Sequence, residues 1–154
     1  MQFIDVFREL VAKHSLDLEF DNDEKSFIIE YEEYSIVISL NEERHSVLCF
    51  CKICNADVVN EPLLKNILDY CCYGIQSDGV RASLYEADDS LVLWKIFKDE
   101  FTDAYALEEQ LSSFISQVLY VKSMLDNKPV KDNMDKKFTG NTNVWFNNYF
   151  CGNA

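Results

Sequence analysis

A chain of 154 residues with 27 acidic against 14 basic side chains carries a net charge of −13 and an isoelectric point near 4.4, a surface that repels nucleic-acid phosphates and anionic bilayers alike. Neither nucleic acid nor membrane is an expected partner. The length suits one domain able to bury roughly 70% of the surface its unfolded form would expose, and a hydrophobic share of 48% with only 4 Gly and 2 Pro excludes disorder over most of it.

The opening MQFIDVFREL places Asp5 and Glu9 inside its apolar run, which breaks a signal-peptide core, and no apolar stretch approaches the ~18 residues of a membrane span. A cytosolic location is the expectation. Residues 2 to 13 set Phe3, Ile4, Phe7, Leu10 and Val11 on one stripe at helical spacing, with Asp5, Arg8, Glu9 and Lys13 opposite. An amphipathic first helix follows from that. Strand-like runs come next at Leu16 to Phe20, Ser26 to Tyr31 and Tyr34 to Leu40, separated by polar turns at Asp21-Asn22-Asp23 and Glu32-Glu33. The run Ser46 to Ile53 continues this antiparallel meander.

A second helix is announced by Asn60 as its cap and Pro62 in its first turn; Leu63, Leu64, Ile67, Leu68 and Cys71 form its apolar face and Gly74 ends it. After a Gln76 to Gly79 loop, Val80 to Glu86 and Ser90 to Phe97 read as a hairpin turned at Ala87-Asp88-Asp89. A long last helix starts near Thr102 or Asp103 and carries Leu107, Leu111, Phe114, Ile115, Val118, Val121 and Leu125 on its stripe. The expected organisation is one domain over residues 1 to 125, α+β with an antiparallel sheet and three helices, in the order helix, three or four strands, helix, two strands, helix (α-β-β-β-α-β-β-α type). Residues 126 to 154 read as a polar, flexible tail ending in an aromatic cluster, Trp145, Phe146, Tyr149 and Phe150.

The stretch SVLCFCKIC raises the question of metal. Cys51-Lys52-Ile53-Cys54 is the sole Cys-x-x-Cys pair, Cys71 and Cys72 are adjacent and on a helix diverge by about 100°, and His14 and His45 make no ligand pair. On a strand, Cys49, Cys51 and Ile53 share one face, with Leu48, Phe50 and Lys52 on the other. Buried free thiols acting as small apolar groups are the expected reading, with no metal and no cofactor.

Catalysis needs a nucleophile, a base and an orienting group converging in a pocket. His14 falls at a helix end and His45 in a turn, the acid pairs Glu32-Glu33, Asp88-Asp89 and Glu108-Glu109 fall in turns or on a polar helix face, and the four glycines form no phosphate loop. No enzyme is expected. Acidity is read first as solubility for a protein with greasy grooves, and second as steering toward a basic partner.

Element order and apolar pattern over residues 1 to 125 resemble the class I type III secretion chaperones of the Tir-chaperone (CesT-like) family. Two segments carry the likeness: FRELVAKHSLDLEFDNDEKSFIIEYEEYSIVISL, with its helix, acidic turn and hairpin, and VRASLYEADDSLVLWKIFKDEFTDAYALEEQLSSFISQVLYVKSML, with its hairpin, acidic link and long helix. The resemblance implies a homodimer that holds the N-terminal region of a secreted effector partly unfolded and soluble and aids its delivery to the secretion apparatus, with the secretion ATPase as a further partner. It implies a dimer interface at Leu64, Ile67, Leu68, Cys71 and Trp94. It implies effector grooves from the first helix and the sheet, for which Phe3, Phe7, Phe27, Ile29, Ile36, Ile38 and Phe50 are the candidates. For any single one of these residues plain core is the favoured reading, because apolar periodicity signals burial without saying what covers the residue. A non-secretory bacterial adaptor or regulatory dimer that binds a folded partner is the alternative.

Overall fold

The computed structural model describes residues 2–14 and 25–126. The expected strand Leu16 to Phe20 and, from residue 127 on, the expected tail lie outside the described residues. Three α-helices and five strands follow in the anticipated order: α1 (Phe3–His14), β1 (Ser26–Tyr31), β2 (Tyr34–Asn41), β3 (Ser46–Asn55), α2 (Glu61–Cys71), β4 (Arg81–Tyr85), β5 (Ser90–Lys98) and α3 (Ala104–Asp126). The strands form one antiparallel sheet ordered β1-β2-β3-β5-β4, an α+β fold as expected.

Pleating sorts the strand residues onto two faces. Phe27 pairs with Ile38, Ile38 with Cys49, Ile36 with Cys51 and Cys51 with Leu93, so these side chains share the face that the helices cover. All are buried in one core with Phe3, Phe7 and Leu10 of α1, Ile67 of α2 and Leu107, Leu111 and Phe114 of α3. Cys49 and Cys51 thus occupy core positions of β3, where an extra residue between Lys52 and Cys54 shifts the register with β5. Each fully buried side chain of Phe, Leu or Ile size contributes about 1.5–3 kcal/mol of transfer free energy, so this layer contact dominates the driving force.

Local chemistry fixes the ends of the helices. The Leu63 amide donates to Asn60 Oδ1 at 3.0 Å, and Pro62 occupies the first turn, where no helical partner for its missing N–H is required. Asn60→Ala should therefore lower stability by about 1 kcal/mol, read as a shifted urea midpoint with an unchanged slope. At α3 the Ala106 amide donates to Asp103 Oδ1 at 2.9 Å, which settles the start between the two expected caps in favour of Asp103. Beyond α2, a tight turn over Cys72–Gly74 places Tyr73 at φ 60° and Gly74 at φ 66°. A Cβ on Gly74 would stand 2.9 Å from Gly79 Cα, and the Gly79 amide donates to the Gly74 carbonyl at 2.7 Å, so both dihedral and contact demand glycine.

Two polar links tie the layers. Lys13 Nζ lies 2.5 Å and His14 Nε2 3.0 Å from the Glu108 carboxylate, joining α1 to α3. The Lys13 hydrogen bond, opposed by partial burial and assisted by the charges of His14 and Lys13, holds the Glu108 carboxyl below its usual range. A depressed folded-state pKa contributes stability in full above the ordinary value of 4.5 and loses it as the pH falls through the folded value. Glu108→Gln should accordingly lower the melting temperature at pH 7, with the gap to the parent closing as the pH drops below 4.5; a gap that stays constant with pH would assign the effect to packing. Elsewhere Lys95, buried on the helix side of β5, reaches Asp78 Oδ2 at 3.0 Å, and Ser113 of α3 donates to the same oxygen. Those two contacts hold the Asp78 carboxyl below its usual range and pin the loop before β4 against α3.

Candidate functional site

The second face of the sheet is also apolar. Ile28 pairs with Val37, Val37 with Phe50, Phe50 with Trp94 and Trp94 with Arg81, a single row across all five strands. A neighbouring row runs Ser26, Ser39, Leu48 and Ile96. None of Ile28, Val37, Leu48, Phe50, Trp94 or Ile96 belongs to the helix-covered core, five of them are half-buried, and Ile96 is 57% exposed. These residues stand apart from the core cluster that α1, α2 and α3 form with the other face of the sheet.

Trp94 is fixed in place. Its indole N–H donates to Ser83 Oγ at 2.8 Å and the Arg81 guanidinium carbon stands 5.8 Å from the ring centroid, so the ring is oriented by a hydrogen bond and a cation–π contact worth about 0.5–1 kcal/mol at an exposed site. Preset aromatic surface of this kind takes an apolar partner at low entropic cost. At the end of β3 and β5 the face runs into a shallow depression of about 470 Å³ lined by Arg44, His45, Ser46, Ile96, Phe97, Lys98, Asp99 and Glu100.

A separate apolar surface lies on the helix side. Leu68 on α2 is 47% exposed, and Tyr73, Ile75 and Leu84 are more exposed still. Leu84 pairs with the buried Leu91 and so faces the helix side of β4, the strand against which α2 packs.

Of the residues expected from sequence to line an effector groove, Phe3, Phe7, Phe27, Ile29, Ile36 and Ile38 are all buried in the helix-covered core, and Phe50 stands on the opposite, open face. The structure does not bring the seven together on one surface. Of those expected at a dimer interface, Ile67 and Cys71 face the core, Leu64 is half-buried, Leu68 points outward, and Trp94 belongs to the open face of the sheet. The open-face residues Ile28, Val37, Leu48 and Ile96 were not among the candidates. Their signal was present in sequence as adjacent apolar pairs, Ile28-Ile29, Ile36-Val37 and Val47-Leu48, which make both faces of a strand apolar at once.

Cys49 and Cys51 are packing groups in this setting. Burial pushes the Cys49 thiol far above its usual range and the Cys51 thiol to about 12, so both are protonated at neutral pH, whereas nucleophiles and metal ligands are thiolates. Among the described residues no group of three or more His, Cys, Asp or Glu is arranged to hold a metal, and no helix is long and apolar enough to cross a membrane.

Comparison with known proteins gives this geometry a family. In overall fold the chain is similar to a chain of the ExsC–ExsE complex, at 14% identity and a TM-score of 0.66, covering 79% of this chain and 91% of that one. It is likewise similar to a chain of the HopA1–SchA chaperone–effector complex, at 10% identity and a TM-score of 0.62, covering 79% and 93%. A third likeness is to the Yersinia pestis type III secretion chaperone SycH in complex with a fragment of YscM2, at 16% identity and a TM-score of 0.60, covering 77% and 98%. The same fold also occurs in YbjN, a putative transcription regulator from E. coli, at 16% identity and a TM-score of 0.54, covering 80% and 89%. Among curated proteins none matches this chain. The sequence model of one family matches residues 6–122, the whole of the described fold but its ends, and the chain belongs to that family, the Tir chaperone protein (CesT) family.

Proposed function

We infer that the protein is a cytoplasmic type III secretion chaperone whose open sheet face receives an extended segment from the N-terminal region of a secreted effector. Family membership over residues 6–122 carries the chaperone function, and the apolar rows of the open face supply the chemistry that function requires. An unfolded segment presents apolar side chains that must be kept from aggregating. An apolar sheet face with an oriented tryptophan takes such side chains without demanding one sequence. The effector contact set is accordingly centred on Phe50, one of the residues expected from sequence, with Trp94 and Ile96 beside it. The six expected residues of the core act behind that face, setting its shape.

Dimerisation is proposed through the outer surface of α2, with Leu64 and Leu68 extended by Tyr73, Ile75 and Leu84. Ile67 and Cys71 hold that helix to its own core. An isologous contact places the same apolar surface on both copies, so the exposed residues are covered together. A secretion ATPase is a further proposed partner, reached through the complex.

The test is capture of the tagged full-length protein from bacteria grown under secretion-inducing conditions, followed by limited proteolysis of what copurifies. A secreted protein protected only along its N-terminal segment, at two chaperone chains per effector, is the expected result. Its binding should carry the heat-capacity signature of burying about 1,000–3,000 Å² on coupled ordering. A compact partner protected over a folded domain would move the protein to the adaptor class, a reading kept in view by the shared fold of YbjN.

A further inference from the structure

The connection from α2 to β4 is strained, firmly held and tipped with apolar side chains. Within residues 72–80, Tyr73 at φ 60°, Gly74 at 66°, Asp78 at 49° and Gly79 at 78° all lie in the left-handed region. Glycine adopts that region freely, whereas an aromatic residue does so only where the surrounding structure imposes it. Yet Tyr73 is 89% and Ile75 83% exposed, so burial of these side chains is not what holds the backbone there.

The loop is held from behind. Asp78 Oδ2 receives Lys95 Nζ of β5 at 3.0 Å and the Ser113 hydroxyl of α3. Ser77, fully buried, donates its hydroxyl to the Val80 carbonyl at 2.6 Å, and the Tyr70 hydroxyl stands 3.2 Å from the Gln76 carbonyl oxygen. Lys95 is the costly member. It is buried on the helix side of β5, where an apolar residue of similar volume would fill the space with no polar demand. A lysine there can reach the loop, which an apolar residue cannot grip.

We propose that Asp78 is a positioning residue for self-association: gripped by Lys95 and Ser113, it keeps the loop in the strained form that presents Tyr73 and Ile75, with Leu68, to a second copy of the chain. The proposal rests on the reading of the outer α2 surface as the dimer contact. A loop already fixed in its bound form loses little further freedom when the copies meet, so the strain is met in folding rather than at the contact. Charge on the same surface suits a second copy. Lys65 and Asp69, both exposed on α2 beside Leu64 and Leu68, take no ion-pair partner among the described residues. In an isologous contact, where residue i meets j and j meets i, two such charges complement their counterparts while the apolar residues are covered.

Hydrogen exchange and sedimentation test the two links separately. In the Leu68→Asp chain considered below, Asp78→Gly removes both side-chain contacts and leaves the dihedral accessible. Amides of residues 72–80 should then exchange at least about tenfold faster, as expected for loss of a charge-assisted hydrogen bond; unchanged exchange overturns the clamp. In the parent chain Asp78→Gly should raise the dimer dissociation constant at least about tenfold. Asp78→Asn, which still accepts hydrogen bonds and tolerates the left-handed region, should lie closer to the parent. The decisive comparison repeats Asp78→Gly in a chain carrying Tyr73→Ala and Ile75→Ala, where a further change below about twofold is expected because the clamp acts through those two side chains. An equal loss in both backgrounds assigns Asp78 to general stability and overturns the proposal, as does a dissociation constant that Asp78→Gly leaves unchanged. If Tyr73→Ala with Ile75→Ala does not weaken the dimer, the loop is no part of the interface and the role in association falls, while accelerated exchange still establishes the clamp. The two failures are thereby distinguished.

Discussion

Phe7→Ala should destabilise the domain by about 3–5 kcal/mol, the cost of removing a large aromatic from a core that cannot fully collapse around the gap. Phe7 is 0% exposed, its ring centroid lies 5.3 Å from that of Phe3 and 4.7 Å from that of Phe27, and it thereby links α1 to the first strand of the sheet. Against a total stability of about 5–15 kcal/mol, such a loss removes a large share of the folded population's margin. The check is urea unfolding, with a large fall in midpoint at constant slope, and Phe7→Leu as the milder companion that retains most of the buried volume. The result bears on function because Phe7 was expected from sequence at an effector groove. A residue whose main work is to touch a client loses little stability when truncated, so a change below about 1 kcal/mol would return Phe7 to the binding surface. A change of the expected size assigns it to the scaffold behind that surface.

The contrast between Phe7 and Phe50 shows what sequence made legible and where it stopped. Alternation along Ser46 to Ile53 was sufficient to put Cys49 and Cys51 on one face of a strand and Phe50 on the other, and the register with β2 and β5 bears this out. Caps at Asn60 and Asp103 were readable because their side chains satisfy amides within three residues. Element order followed from local periodicity in the same way. Which face the helices cover is a long-range fact. Ile28 and Ile29 are adjacent isoleucines with the same propensity, yet Ile29 is buried in the helix-covered core while Ile28 stands on the opposite face. Nothing within a few residues distinguishes them.

Lys95 makes the same point from the polar side. In the run SLVLWKIF a lone lysine suggests the wet face, but alternation with the buried Leu91 and Leu93 puts it on the helix side. Asp78, from a loop seventeen residues earlier, makes that placement tolerable. Burial of a charge is decided by its partner, and the partner is not local.

Ile96→Asp should leave the fold close to intact and weaken client binding by at least tenfold, about 1.4 kcal/mol. Ile96 is 57% exposed and pairs with Leu48 on the open face, so its replacement creates no cavity in the helix-covered core and costs within the ~1 kcal/mol range of strand preferences. In the complex the position changes character. An aspartate there either sits desolvated against the client's apolar side chains or holds water between the surfaces, and both outcomes subtract from binding alone. Calorimetry with the N-terminal segment of the captured effector measures the affinity, and thermal unfolding of the same protein measures the fold. Leu68→Asp provides the opposing control, since α2 faces the other side of the sheet: it should shift the sedimentation of the protein toward a single chain while leaving the intrinsic contact with the segment in place. Undiminished affinity in Ile96→Asp, together with lost affinity in Leu68→Asp, would transfer the client site from the open sheet to the α2 surface. Loss in Ile96→Asp with a preserved melting temperature fixes it on the sheet, where β1, β2, β3 and β5 present one apolar row on the face opposite the helix-covered core.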